Sequence, residues 1–593
     1  MKRAGARDAP FLANFLQRRH VRSTAIAIGL VLLAGILLLF PGLGRTPFDD
    51  PGEGMHAEIA REILQTGDWF TLHLNGARYF DKPPLLYWLS ALSMRLWGPK
   101  EEAIRLWPAL GTLAAVAGTA LLGVRLLSFQ AGCVAGLALL TSLGFFAYAR
   151  YLRPETLFVA AIQWGFALLL LGRTKSRWLS VLGCGFLGLA ALAKDPFGAL
   201  GPLVAVAVAL ALAKKLRPIS AWLPWSGIEL LLVLGAVWYG LVELRNPGFL
   251  WYTVVDNHLL NAIHARHFPD EDIPLTSPEF LVVAGLGAFP WVIPALLTVV
   301  RLLRGRMWRE EREWPWIALT FWAVSVFGLF VVVRFKLPHY GLPVYPALAL
   351  LAARWWEENR AAKKVLLLHL ILFAALAISC AWIYGTGGRA FLGSIFKAAD
   401  VYTRKELALD QVVPIPPLEA LQKLIGGTAL IFGVGSLGLL AAIGRRARTL
   451  GLWVVLLTLL AWMPLVGRAV SLVGMARSVQ PIAQEVRLRA GPNDLLVHEG
   501  PIENSGALEF YSDRRPVILD GRISVLGFGA TFPEAQDMFW DRIRLKEAWH
   551  GPRRVFLVTI RDPIHSVIAD LPASEVNLLA AGGGRWLYAN RPN

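Results

Sequence analysis

The 593 residues are 55% hydrophobic and 17% charged, with a mean hydropathy of +0.51. That is too apolar for a soluble chain of this length and indicates a polytopic membrane protein. The formal net charge of +17 does not call for nucleic acid, because the cations stand in short clusters between apolar runs, where lipid headgroups and topology signals are their partners.

Met1 to Arg22 is basic and precedes an apolar run, Ser23 to Phe40, about long enough to cross a bilayer. No small-residue cleavage site follows it, so a retained first helix is expected. About thirteen segments of spanning character can be counted: 23–41, 103–127, 131–148, 155–172, 178–193, 196–213, 224–243, 280–300, 315–333, 341–356, 364–385, 424–443 and 450–467. Cys133, Cys184 and Cys380 all fall inside these apolar stretches, none in a motif with histidine, and read as core residues without a disulfide or metal role.

A basic amino terminus places the N-terminus in the cytoplasm. Alternation then puts Gly172 to Arg177, Lys214 to Arg217, Arg301 to Arg312, Arg360 to Lys364 and Gly444 to Arg448 on the cytoplasmic side, and all five are basic as the rule requires. The outer side receives loops 42–102, 244–279 and 386–423 and the tail. Three short outer connections break the charge rule: Arg150 to Glu155, Lys194-Asp195-Pro196, and Arg334 to Tyr340. Cations there oppose the favoured topology, so either an anionic ligand at the outer surface requires them or they snorkel to lipid phosphates.

The division expected is a membrane module over 1–470 and an extracytoplasmic α/β domain over 471–593. In the latter Asp494 to His498, Arg515 to Asp520 and Arg554 to Thr559 read as short buried strands, and Asn504 to Tyr511 and Phe532 to Ala548 as helices.

The first outer loop carries most of the chemistry-bearing residues. Asp49, Asp50 and Glu53 stand in a Pro/Gly-rich turn, where a carboxylate serves either as a general base towards an acceptor or as a helix cap. Ala57 to Leu64 has apolar residues at helical spacing with charges on the other face, and Gly67 just past its end. It is expected to lie amphipathically in the interface with its acidic residues solvated. Asp81-Lys82-Pro83-Pro84 then opens an apolar helix, Leu85 to Trp97. Lys82 and the free N–H groups of that first turn suit a phosphate, while Asp81 orients a donor or holds a metal; a salt-bridged turn is the other reading.

Three stretches carry a resemblance: Asp50 to Glu62; Gly67-Asp68-Trp69 with Leu74 to Trp88; and Lys336 to Leu351. They resemble the aminoarabinose transferase branch of the protein O-mannosyltransferase-like glycosyltransferases, well over roughly the first 350 residues. The resemblance implies a GT-C fold, a helical bundle with its active site at the outer face, taking a polyprenyl-phosphate-linked sugar. It places an acidic residue of the first loop at the reaction centre, yet Asp-Pro-Gly-Glu stands here where the family often has Asp-Pro-Asp-Glu. Gly52 therefore occupies the usual aspartate position, and the catalytic candidates become Glu53, Asp50 and Asp49. Lys82 matches the lysine that meets the lipid phosphate, Lys336 to Tyr345 matches the segment lining the lipid site, and Asp81-Lys82-Pro83-Pro84 stands for the family's Glu-Lys-Pro-Pro. Lys194-Asp195-Pro196 is similar to the family's Lys-Gly-Pro, and Asn257-His258 to its Glu-His element, so His258 either joins Asp81 as a candidate divalent-metal pair or is a hydrogen-bonded loop histidine. An arginine expected after that histidine is replaced near its place by Asn261, leaving phosphate neutralisation to His264, Arg266, Arg334 or Lys82.

The expected protein is a multi-pass, GT-C-type glycosyltransferase of the cytoplasmic (inner) membrane with its C-terminal domain outside. It moves a sugar from a polyprenyl-phosphate donor to a lipid, glycan or protein acceptor, with no nucleotide cofactor and no nucleic-acid partner. The substrate-binding candidates are Arg78, Asp81, Lys82, Arg150, Arg153, Lys194, Arg334, Lys336, Tyr340 and Tyr345. A transporter of lipid-linked sugars, or a non-catalytic relative that binds lipid phosphate, are the competing readings. The sugar and the acceptor are not legible.

Overall fold

The computed structural model of the chain describes residues 9–174, 176–358, 362–386, 401–408 and 411–592. Met1 to Asp8, Lys175, Arg360 and residues 387–400 and 409–410 of the 386–423 loop therefore lie outside the described residues. Each of the thirteen apolar segments holds helix, but fewer are single membrane-length rods. Eight are long and apolar enough to cross a bilayer, and two more are helix pairs bent by 68° and 108°. The remaining three are shorter: Arg177–Ala193, Pro196–Leu212 and the 14-residue helix Tyr345–Glu358.

The breaks have local causes. Between Phe129–Leu140 and Leu143–Ala149 the hydroxyls of Thr141 and Ser142 donate to the carbonyls of Leu137 and Ala138, and the Trp291 indole donates to Thr141 Oγ1. Between Ser277–Gly287 and Val292–Arg304 stands Pro290, which has no N–H to continue the helix. Elsewhere small residues bring backbones together: a Cβ on Gly123 would lie 2.7 Å from the Cα of Gly132 in the neighbouring helix. Cys133 and Cys184 are buried and Cys380 half-buried, all three as free thiols.

The carboxy-terminal region forms a six-stranded sheet in the order Phe539–Trp540, Val517–Leu519, Leu495–Glu499, Val555–Thr559, Arg585–Ala589, Asn577–Gly582. The first four strands are parallel and the last two antiparallel. The three expected strands are present. The helix expected over Phe532 to Ala548 is not: Phe539–Trp540 pairs with Val517–Leu519, and the helix starts only at Arg542, where the Asp541 carboxylate accepts from Arg544 N. Asn504 to Tyr511 resolves into a 3-10 turn, Ile502–Ser505, and a short helix, Leu508–Ser512. The boundary expected at 470 falls inside one long helix, Arg448–Arg477.

The amphipathic first-loop helix forms over Gly54–Thr66 and ends at Gly67, whose φ of +72° needs no Cβ to be avoided. Its surroundings differ from expectation. Glu58 and Glu62 are 1% and 0% exposed, because this helix is packed against the carboxy-terminal region rather than presenting its charges to solvent. Its apolar residues Ile59 and Ile63 share one core with Leu508, Ile518 and Val558. Arg61 pairs with Glu58, Glu509 and Asp513, and Arg515 with Glu62 and Glu509. A helix charged along one side is thus buried by a partner carrying complementary charges.

Candidate active site

The turn before that helix holds the carboxylates of the first loop, and the structure separates their tasks. Glu53 is 2% exposed. It receives the Arg105 guanidinium through two bonds, 2.8 Å at Oε1 and 2.6 Å at Oε2, together with the Leu152 N–H at 2.7 Å and the Asp49 N–H at 3.2 Å. Arg105 also donates to the carbonyls of Leu43, Thr46 and Pro47. Glu53 is therefore the clasp that ties the loop to the helix Glu101–Leu126, and its oxygens are occupied by donors rather than offered to an acceptor. Asp50 is fully buried and accepts from Val479 N at 3.1 Å and Ala507 N at 3.0 Å, which joins the loop to the carboxy-terminal region. Burial raises its carboxyl to about 7, against the lowering effect of Arg585. Of the three catalytic candidates, two thus have structural work.

Asp49 accepts a short hydrogen bond from the Tyr151 hydroxyl at Oδ2. That hydroxyl also fills the space of a missing side chain: a Cβ on Gly52 would lie 1.6 Å from Tyr151 Oη. Asp49, Glu53, Arg105, Arg150, Tyr151 and Ser471 line a cavity of about 20 Å³, room for a single water.

Lys82 and Asp81 do form a salt-bridged turn, with Nζ 2.7 Å from Oδ2. The long outer loop closes over it. Tyr252 Oη and Asn257 Nδ2 each donate to Asp81 Oδ1 at 3.1 Å, and Arg266 approaches to 3.8 Å while holding Asp256 and Asp270. Burial pushes the Asp81 carboxyl up, but Lys82, Arg266 and these donors outweigh it and hold it near 2. Arg266 is thus a guanidinium that stands at this turn, whereas Arg334 is exposed and touches this loop through its backbone N–H to Ala262 O.

A second cluster centres on Glu155, which is 1% exposed at the start of an apolar helix. Lys194 Nζ lies 3.3 Å and His339 Nε2 3.5 Å from its Oε1, and Arg153 Nε 3.9 Å from its Oε2. The Tyr340 ring lies 5.4 Å from Lys194 Nζ. The three outer connections that violate the charge rule therefore converge on one carboxylate. Burial, with Lys194 close by, holds His339 well below the usual histidine range. Lys82 acts electrostatically on both Lys194 and His339, so the two clusters are neighbours. Glu155 was absent from the sequence candidates; the signal for it was a carboxylate opening an apolar span directly after Arg-Tyr-Leu-Arg-Pro.

Other expected substrate contacts are placed elsewhere. Arg150 donates to the carbonyls of Leu38, Leu39 and Pro41 and so caps the C-terminus of the first helix. Tyr345 is a core residue whose hydroxyl donates to Ala284 O at 3.0 Å. Lys336 is 3% exposed and donates to Ser277 Oγ at 2.9 Å. Arg78 donates to Asn246 Oδ1 at 2.7 Å, pairs with Glu534 and lies over the Phe532 ring.

The residues suggested for a metal do not fit one. Both ring nitrogens of His258 have partners, Asp195 Oδ1 at 3.0 Å and Thr253 O at 2.5 Å, and the Asp81 carboxylate is taken up by the four groups just described. Among the described residues, the ligand atoms close enough to share an ion belong instead to Glu58, Glu62 and Glu509, within 4.8 Å of one another. Arg61 and Arg515 already pair with those three carboxylates.

Comparisons with known proteins bear on the fold and on what the chain resembles. Residues 81–239 match the family described as dolichyl-phosphate-mannose-protein mannosyltransferase. The undecaprenyl phosphate-alpha-4-amino-4-deoxy-L-arabinose arabinosyl transferase of Serratia proteamaculans is 30% identical over 371 residues, 60% of this chain and 63% of that protein. Its namesake from Pectobacterium atrosepticum is 30% identical over 352 residues, 56% of this chain and 59% of that protein. The matched region thus spans about six tenths of the length of these relatives. The crystal structure of ArnT from Cupriavidus metallidurans bound to undecaprenyl phosphate superposes with a TM-score of 0.77 at 22% identity, covering 95% of this chain and 98% of that one. By sequence over about six tenths of its length the chain is similar to these arabinosyl transferases, and over nearly its whole length it shares the GT-C fold of the ArnT structure.

Proposed function

We propose that the chain is an integral-membrane glycosyltransferase that moves a sugar from a polyprenyl-phosphate donor to a lipid, glycan or protein acceptor at the outer face of the cytoplasmic membrane. The observation that carries this reading is the meeting of Lys82, Lys194 and Arg153 around Asp81 and Glu155, the latter two cations coming from connections where the topology rule disfavours them. Such a cluster stabilises the charge that grows on a departing phosphate. Displacement breaks the bond between the anomeric carbon and the phosphate oxygen, and the acceptor loses a proton to a carboxylate.

With Glu53 and Asp50 occupied, two carboxylates are left for that proton: Asp49, which keeps its place from the first loop, and Glu155, which the cations surround. Asp81 orients Lys82, and Arg266 with Tyr252 secures Asp81. Tyr340, whose ring stands by Lys194, lines the approach of the lipid. The N-terminus then lies in the cytoplasm and the sheet domain outside. The carboxy-terminal region bears directly on the first loop through Asp50, Glu58 and Glu62, so it is placed to shape the acceptor side. The relatives' own names make undecaprenyl-phosphate aminoarabinose the first donor to try. Mass spectrometry of lipids and glycans from a strain lacking the gene tests the reading, since a lost sugar identifies donor and acceptor together; an unchanged envelope contradicts it.

A further inference from the structure

His56 has no part in the chemistry above. It stands in the first turn of the helix Gly54–Thr66 and is 1% exposed. Its Nδ1 lies 2.9 Å from the hydroxyl of Tyr87, and the two rings lie 5.7 Å apart at 36°. Tyr87 is itself 1% exposed and belongs to the first turn of Leu85–Trp97, the helix opened by Asp81-Lys82-Pro83-Pro84. The contact therefore joins the starts of two helices, one leading from Asp49 and Glu53, the other from Lys82. The other ring nitrogen, Nε2, is buried without a hydrogen-bond partner. A buried polar atom left so is destabilising unless a ligand completes it.

The charges around His56 are those of the site: Arg153, Glu155, Lys82 and Asp81 all act on its ring. Burial first, then Arg153, lowers its titration to about 3, so the imidazole is neutral wherever the protein works. The hydrogen bond between Tyr87 and Nδ1 allows two tautomers, and the one in which the Tyr87 hydroxyl donates to Nδ1 leaves the ring proton on Nε2 as a donor. A neutral donor among ammonium and guanidinium groups adds little to holding a phosphate. It suits a hydroxyl or ring oxygen, which carries no charge to attract the cations.

We propose that His56 Nε2 donates a hydrogen bond to a hydroxyl or ring oxygen of the sugar on the lipid-linked donor, so that His56 sets sugar specificity while Lys82 and its neighbours hold the phosphate. This rests on the reading of the chain as a protein that takes a polyprenyl-phosphate-linked sugar. A site that expects such a bond discriminates strongly against a ligand that cannot make it.

The test uses the full-length protein in nanodiscs and two variants. His56→Asn keeps an amide near Nδ1 for Tyr87 and removes the group at Nε2; His56→Gln places an amide near Nε2. Affinities are measured for bare undecaprenyl phosphate and for undecaprenyl phosphate carrying 4-amino-4-deoxy-L-arabinose, a hexose or an N-acetylhexosamine. The expected result is binding of the bare lipid within about twofold of wild type for both variants. The preferred sugar-bearing lipid should bind about tenfold or more weakly to His56→Asn and recover in His56→Gln. Equal losses for both kinds of lipid would make His56 a structural or phosphate residue, and no loss for either, or no wild-type preference for any sugar over the bare lipid, overturns the proposal. A wild-type protein that binds none of these lipids overturns the donor reading itself, and the proposal with it.

Discussion

The phenol oxygen of Tyr151 lies 1.6 Å from the point where a Cβ on Gly52 would stand. The two residues are thus a matched pair: glycine at 52 makes room for the tyrosine, and the tyrosine hydroxyl, bonded to Asp49, brings a polar group to the place where resembling sequences often carry aspartate. Gly52→Asp alone should strain the turn and lose activity, and Tyr151→Phe should lower turnover by removing the donor on Asp49. The double variant Gly52→Asp with Tyr151→Ala should be more active than Gly52→Asp. Turnover of the four proteins, compared as a double-mutant cycle, checks this; simple additivity speaks against a shared site.

Glu53 and Arg105 are a buried ion pair, with exposures of 2% and 3%. Removing the carboxylate charge strands a buried guanidinium, a loss of about 3 to 5 kcal/mol in comparable cases. Glu53→Gln should therefore unfold at a clearly lower temperature in detergent, and Arg105→Met introduced beside it should restore part of the loss. A Glu53→Gln protein with wild-type stability and no turnover returns Glu53 to the chemistry.

The contact between the first loop and the carboxy-terminal domain is sensitive to pH. Burial raises Asp50 to about 7, Glu62 to about 7, and Glu58 and Glu503 to about 8, with Glu509 adding to the rise at Glu58 and Glu62. Each folded group holds its proton more tightly than the unfolded chain does. The stability it contributes is full below about pH 4 and is lost as pH rises through 7 to 8. The unfolding temperature should fall between pH 6 and 9, and Glu62→Gln should flatten the slope. A rise over that range contradicts the assignment.

Two cations among the expected substrate contacts now predict different outcomes. Lys82→Ala should remove donor binding while leaving the fold intact, since Lys82 is partly exposed beside Asp81. Arg150→Ala should act on stability, because it leaves the carbonyls of Leu38, Leu39 and Pro41 without their donor. Lipid-phosphate affinity and unfolding temperature measured on both variants separate these roles.

The membrane helices were legible because long apolar runs declare themselves, Lys194 and Arg153 because cations on the wrong side need a reason, and Lys82 because it opens an apolar helix beside Asp81. What sequence periodicity cannot report is what covers a polar face. The charges at Glu58 and Glu62 look solvated at helical spacing, but besides Arg61 on the same helix, Arg515 and Glu509 meet them from hundreds of positions away. Arg150 and Glu155 could not be distinguished by type either, as both stand in one short motif. Only the fold shows the first turned to the carbonyls of a helix end and the second surrounded by cations.

The central claim is best tested by donor turnover in proteoliposomes containing the purified chain, a polyprenyl-phosphate sugar and an extracted envelope acceptor. The account predicts release of free polyprenyl phosphate with gain of the sugar by the acceptor, lost in Lys82→Ala and Lys194→Ala. Movement of intact donor between leaflets, or donor binding without consumption across many acceptors, would contradict it.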